Sequence, residues 1–191
     1  MSAVTVSRAA PVLSSRSVSA RLRRLHDTWT GAGAPDEWRL WYRVQGGALS
    51  ARAVAHGLPV STVAAVAAAL SPRRRWSKNL QDLDYVLGGG GPDGFTFTRA
   101  NYWRAVDALL GYGVGDGPKV NAFMANLLGD EDQVTIDSWM LQCVGWPEGR
   151  TFTGAQYVIL ADQIRDLAVR MGVPPAQLQA LTWCAARGSA V

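Results

Sequence analysis

Residues 62–70, TVAAVAAAL, constrain this chain more than any other stretch. Their alanines, valines and leucine fall on every side of a helix. A helix that is apolar all round is stable only when protein surrounds it. This segment therefore belongs in the middle of a core, and its neighbours must supply the walls. Its longest apolar run, 63–70, is far too short to cross a bilayer, which takes about 20 residues. Ser61 is suited to cap the helix and Ser71-Pro72 to break it.

The walls are legible on both sides. Asp36, after Pro35, opens a helix carrying Trp38, Leu40, Trp41, Tyr42 and Val44 that is expected to stop at Gly46-Gly47. A short segment over 48–56 ends at Gly57. Residues 73–87 have Leu80, Leu83, Val86 and Leu87 at helical spacing. Thr98 caps a helix with Tyr102, Trp103, Val106, Leu109 and Leu110. A glycine-rich turn follows over 111–117, and Pro118 suits the first position of the next helix, through 120–128. After a polar loop at 130–133, a short helix spans 136–143 and a long one 153–171. Gly172 closes the long one, and Pro174 starts the last. No stretch alternates apolar and polar residues in the manner of a strand. The expected fold is all-α, a compact domain of about eight helices over 27–191, with no internal repeat. Trp103, Trp139 and Trp183 each fall on an apolar helical face and are expected in the core.

Charge is unevenly placed. Residues 1–26 hold five arginines and no acid, which leaves 14 basic against 15 acidic groups in the other 165 residues of a chain whose net charge is +4. The high isoelectric point comes from this end, read here as a flexible basic tail. Two cysteines, Cys143 and Cys184, cannot build a disulfide framework or a four-cysteine metal site, and are expected to be buried small hydrophobes. His26 and His56 have no visible partner, and no metal or cofactor is expected. With no continuous apolar stretch in the basic N-terminal region, a secretory signal is not expected either. A monomeric cytoplasmic protein without a membrane partner is the resulting expectation.

The segment most informative about chemistry is Gly113-Val-Gly-Asp-Gly-Pro-Lys119, between two helices. Gly113, Gly115 and Gly117 permit a tight turn and leave backbone N–H groups uncovered beside Pro118, at a helix start where the dipole favours an anion. Asp137 follows Lys119 by eighteen residues, in Thr135-Ile-Asp-Ser-Trp139. Together, the helical hairpin about 99–128, its lysine and the hydrophobic-Asp that opens a further helix resemble the helix-hairpin-helix DNA glycosylase superfamily. The spacing is similar to that of its endonuclease-III-like members. Leu70-Ser-Pro-Arg-Arg-Arg-Trp-Ser-Lys-Asn79 is similar to the element of that family that faces DNA near the extruded nucleotide, and residues 181–188 resemble its last helix. Asp116 stands where the family has an apolar residue, Ser138-Trp139 replaces Thr-His, and the iron–sulfur cysteines are absent. This departure is similar to the glycosylase-fold proteins of phage base hypermodification.

The resemblance implies a DNA partner in which one nucleotide leaves the duplex. Asp137 would stabilise positive charge developing on the sugar as the N-glycosidic bond breaks, or orient water. Lys119 would attack C1′ in a lyase step, or else contact a phosphate. Arg73, Arg74, Arg75, Lys78 and Asn79 would contact DNA beside the hairpin, and Trp76 would stack on a base or fill the core. For Asp137 the plain alternative is a helix N-cap. Two other functions stay open: a non-catalytic DNA-binding module, and an enzyme of base hypermodification.

Overall fold

α4 (Val60–Leu70) is the axle of the molecule, as its composition demands: residues 63–70 are all buried. The structure is a computed structural model that describes residues 13–188. Around α4 stand α3 (Trp41–His56), α5 (Trp76–Leu87), α6 (Arg99–Leu109) and α7 (Pro118–Leu127). The four carbonyls at a helix C-terminus lack intrahelical partners. Here, buried asparagines supply donors to α4. Asn79 of α5 donates Nδ2 to the Ala67 carbonyl at 3.0 Å, and Asn101 of α6 donates to Leu70 and Pro72 at 3.3 and 3.2 Å.

A second core forms from α1 (Ser15–Gly31), α8 (Ser138–Val144), α9 (Gly154–Met171) and the segment bearing Val134 and Ile136. α10 (Pro175–Arg187) lies between the two cores. It offers Ala180, Leu181 and Cys184 to the first and Leu178 to the second, while Trp183 packs on both. The one-turn α2 (Asp36–Arg39) leads into α3 and packs on α10. Among the described residues there are ten α-helices, one 3₁₀ turn at Pro92–Gly94 and no strand. The all-α expectation holds, and no single helix is long and apolar enough to cross a membrane.

Several boundaries differ from the sequence reading, each for a tertiary reason. The basic N-terminal region is helical from Ser15, with Ser14 as its cap, and it seals Val18 and Leu22 completely into the second core. Arg16, Arg21, Arg23 and Arg24 face outward around that two-residue stripe, too sparse a pattern for periodicity to reveal. The rest of the proposed tail, residues 1–12, lies outside the described residues.

Gly46 and Gly47 do not end a helix but sit inside α3, which runs on to His56. A Cβ on Gly46 would stand 2.6 Å from the Leu127 carbonyl oxygen, so the glycine serves the close crossing of α3 and α7. α4 begins at Val60 with Pro59 as its N-cap residue, so Ser61 does not cap it. α5 begins only at Trp76, because the chain turns over 73–75 with Arg73 left-handed at φ 62°. Trp103 and Trp139 are not core residues: they are 53% and 39% exposed, since Tyr102 and Ala105 on α6, and Met140 and Cys143 on α8, occupy the inward positions. Trp183 is partly buried, and both cysteines are buried as expected.

Candidate active site

Asp137 is held at both carboxylate oxygens. Its backbone is extended, its Oδ1 accepts the Met140 N–H at 2.9 Å as the N-cap of α8, and its Oδ2 accepts the Trp183 indole N–H at 2.8 Å. The segment leading to it is locked from both cores. Asn126 of α7 donates Nδ2 to the carbonyls of Asp130 and Gln133 and accepts the Thr135 hydroxyl at 2.8 Å. Tyr157 of α9 donates its hydroxyl to the Val134 carbonyl at 2.8 Å and accepts the Ile136 N–H. Burial pushes the Tyr157 phenol up to about 12, so it stays a neutral donor. The N-cap alternative for Asp137 is thus realised, yet the carboxylate also borders open space.

That space is a cleft of about 690 Å³ between the two cores, within the range of small-molecule sites. Lys119, from the first turn of α7, lines it opposite the α8 start. A smaller recess of about 80 Å³ adjoins the cleft. Asp137, Lys119 and Trp183, with Ser71, Arg74 and Arg187, line both spaces, so they form the throat where the two meet. Lys119 is partly buried, and desolvation lowers its pKa from the ordinary 10.5, while the Asp137 charge opposes that shift. The lysine carries no hydrogen bond or ion pair among the described residues.

Aromatic rings wall the recess. Trp41 packs against Trp76 with centroids 5.2 Å apart and against Trp183 at 5.4 Å, and Phe123 meets Trp76 at 5.8 Å. Arg187 lies over the Trp183 ring at 4.4 Å. Besides Asp137, the charged residues lining the cleft are all cations: Arg73, Arg74, Arg75, Lys119 and Arg187. Arg74 is neutralised by a partly buried pair with Asp82, 2.6 and 2.9 Å, and stacks on Phe97. Arg73 and Arg75 are exposed and form no ion pair among the described residues, so they present uncompensated charge to the cleft.

The hairpin adopts a tight left-handed turn. Gly113 and Gly115 have φ of 88° and 83°, a region closed to most side chains. Between them Val114 is buried and anchors the loop on the first core. Asn121 of α7 donates to the carbonyls of Gly115 and Gly117 at 3.0 and 3.2 Å, folding those oxygens inward. Gly117 and Pro118 border the cleft, with Pro118 as the first residue of α7. Gly113 and Gly115 are exposed on the hairpin and outside the cleft lining.

The remaining expected contacts divide. Trp76 is buried, donates Nε1 to Gln45 at 2.7 Å and belongs to the recess wall, so it does not stack on an exposed base. Asn79 is fully buried beneath α4, with Oδ1 sealed and unpartnered, and cannot reach DNA. Lys78 is exposed, donates to Gln81 at 2.9 Å and does not line the cleft. Sequence reasoning missed Trp183, Tyr157, Asn126 and Gln179. Trp183, Tyr157 and Gln179 act across 21 to 137 positions of sequence, where no local pattern marks them, while Asn126 grips the loop that follows its own helix through a side chain that composition does not single out. Among the described residues no cluster of three or more metal-ligating side chains occurs.

No curated protein and no solved structure matches this chain. The Family of unknown function (DUF7178) matches residues 8–190, and the chain therefore belongs to that family.

Proposed function

We propose that the protein is a helix-hairpin-helix DNA glycosylase-like enzyme that acts on one nucleobase turned out of a duplex. The observation that carries the reading is that Asp137 and Lys119 share the throat between a cationic cleft and an aromatic recess. The cleft would take the sugar–phosphate chain. Arg73, Arg75 and the N-terminus of α7 would hold phosphates there. The base would enter the recess, because its glycosidic bond is unreachable inside the stack. As that bond breaks, its electron pair leaves with the base and the sugar becomes cationic beside the Asp137 carboxylate. Water then adds to C1′ and gives its proton to the carboxylate. In a lyase branch the neutral Lys119 amine attacks C1′ instead, and the burial that lowers its pKa raises the share of that form.

The test is abasic-site formation on duplexes carrying damaged or hypermodified bases. Asp137→Asn is expected to lose product, and product formed at the wild-type rate would remove the mechanism. Borohydride trapping of a covalent adduct, lost in Lys119→Ala, identifies the lyase branch. One observation favours a second reading, a DNA-binding module without chemistry: both oxygens of Asp137 already accept hydrogen bonds. That module would bind duplex DNA in a salt-dependent way that Arg73→Ala and Arg75→Ala weaken, and would form no product on any substrate.

A further inference from the structure

Gln179 of α10 is 2% exposed and lines the recess. Its Oε1 accepts the Tyr42 hydroxyl at 2.7 Å, which fixes the direction of the amide. Its Nε2 donates to nothing among the described residues. Yet Nε2 is not sealed in the interior either, since among the described residues the only fully enclosed side-chain polar atom without a partner is Asn79 Oδ1. The amide nitrogen therefore opens on free space, and the recess is the space that Gln179 borders. A donor that faces an enclosed, ring-lined space is a position for an acceptor on whatever occupies that space.

The walls state the rest of the requirement. Trp41, Trp76, Phe123 and Trp183 form an apolar, π-faced enclosure suited to a planar ring. Its size is restrictive: a water needs on the order of 10–15 Å³ of such space, so a void of about 80 Å³ holds roughly five to eight water-sized groups, which suits the single ring of a pyrimidine base better than two fused rings.

We infer that the recess is a binding site for a single-ring heterocycle with an exocyclic carbonyl, a pyrimidine base, whose carbonyl oxygen accepts the Gln179 Nε2–H. This deepens the proposed function, on which it rests only for the idea that the ring arrives attached to DNA. Gln179 would then discriminate strongly, because a ring without the acceptor leaves the buried donor unpaired.

The test needs neither DNA nor turnover. Three tryptophans line the recess, so tryptophan fluorescence of the full chain reports ring binding. The probes are free uracil, pyrimidine (the same ring without a carbonyl) and hypoxanthine (a carbonyl on two fused rings). Uracil is expected to quench saturably, with pyrimidine and hypoxanthine about tenfold weaker or more. The double variant Tyr42→Phe/Gln179→Met removes donor and partner together and orphans no hydroxyl. It is expected to raise the uracil dissociation constant about tenfold while near-ultraviolet circular dichroism stays native.

The absence of saturable uracil quenching overturns the inference, as does hypoxanthine binding as well as uracil. Pyrimidine binding equal to uracil also overturns it and requires no variant, so the test survives a double variant that fails to fold. Uracil binding without base excision on any duplex would refute the proposed enzyme and leave this site standing. Excision without uracil binding would do the reverse.

Discussion

The Asp137–Trp183 bond links the start of α8 to α10, so it joins the second core to the helix shared by both, and its strength is measurable by a double-mutant cycle. In Asp137→Asn the cap on Met140 survives, because asparagine caps about as well as aspartate, at a cost of a few tenths of a kcal/mol. With the amide oxygen kept on the Met140 N–H, the amide NH₂ stands where Oδ2 was, and the acceptor for the indole N–H at 2.8 Å is lost. A hydrogen bond to a charged group contributes about 1.5–3 kcal/mol, and the lower end applies because both residues are only partly buried. Asp137→Asn should therefore lose about 1.5–2 kcal/mol, or roughly 3–8 °C in Tm for a chain of this size. Trp183→Phe loses the same bond, some ring packing and part of the Arg187 contact at 4.4 Å, about 3 kcal/mol together. The double variant should fall short of the sum by about 1.5 kcal/mol, since the shared bond can be lost only once. Urea unfolding followed by circular dichroism measures all four corners. A coupling below about 0.5 kcal/mol would refute the claim that this bond positions the carboxylate.

Adjacent glycines in α3 should respond in opposite directions to alanine in thermal unfolding. Gly46→Ala forces a Cβ to within 2.6 Å of the Leu127 backbone oxygen and should cost about 1–3 kcal/mol. Gly47→Ala meets nothing within 4 Å and should stabilise by about 0.5–1 kcal/mol. Leu22→Ala empties a fully buried site in α1 and should cost about 2–5 kcal/mol; a loss under 0.5 would mean that α1 is not part of the second core. Lys119 should titrate below 10.5 by NMR of the ¹³C-dimethylated protein, because burial disfavours its charged form. The Asp137 carboxylate raises that pKa, so Asp137→Asn should move the inflection further down; an upward move would contradict the shared throat. The buried thiols of Cys143 and Cys184, pushed up to about 11 and about 12, should resist alkylation at neutral pH until the protein unfolds.

How far the site could be read in advance varies residue by residue. The hairpin glycines and Pro118 were legible because backbone conformation at those positions depends on the residue itself. Asp137 was legible twice over, as a cap and as a carboxylate near Lys119, and the structure realises the first while leaving the acid at the edge of open space. Asn79 was misplaced, and of the two readings of Trp76 the core one holds, because a basic flanking run said nothing about which way a helix would turn. Here the chain bends at Arg73, and that bend puts both residues inside.

The sequence alone determined the central position of α4 and most of the helices after it, though not α1, since periodicity, caps and an all-round apolar segment are local properties with local energetic consequences. Only the tertiary structure decided that there are two cores with a cleft between them, and that Arg16, Arg21, Arg23 and Arg24 ride on a packed helix. It also decided that Gln179, Tyr42 and Trp183 meet Asp137 and Lys119 around one recess. Those outcomes depend on which helix faces close on one another, and the energy of that choice belongs to pairs of residues far apart in sequence, 137 positions for Tyr42 and Gln179.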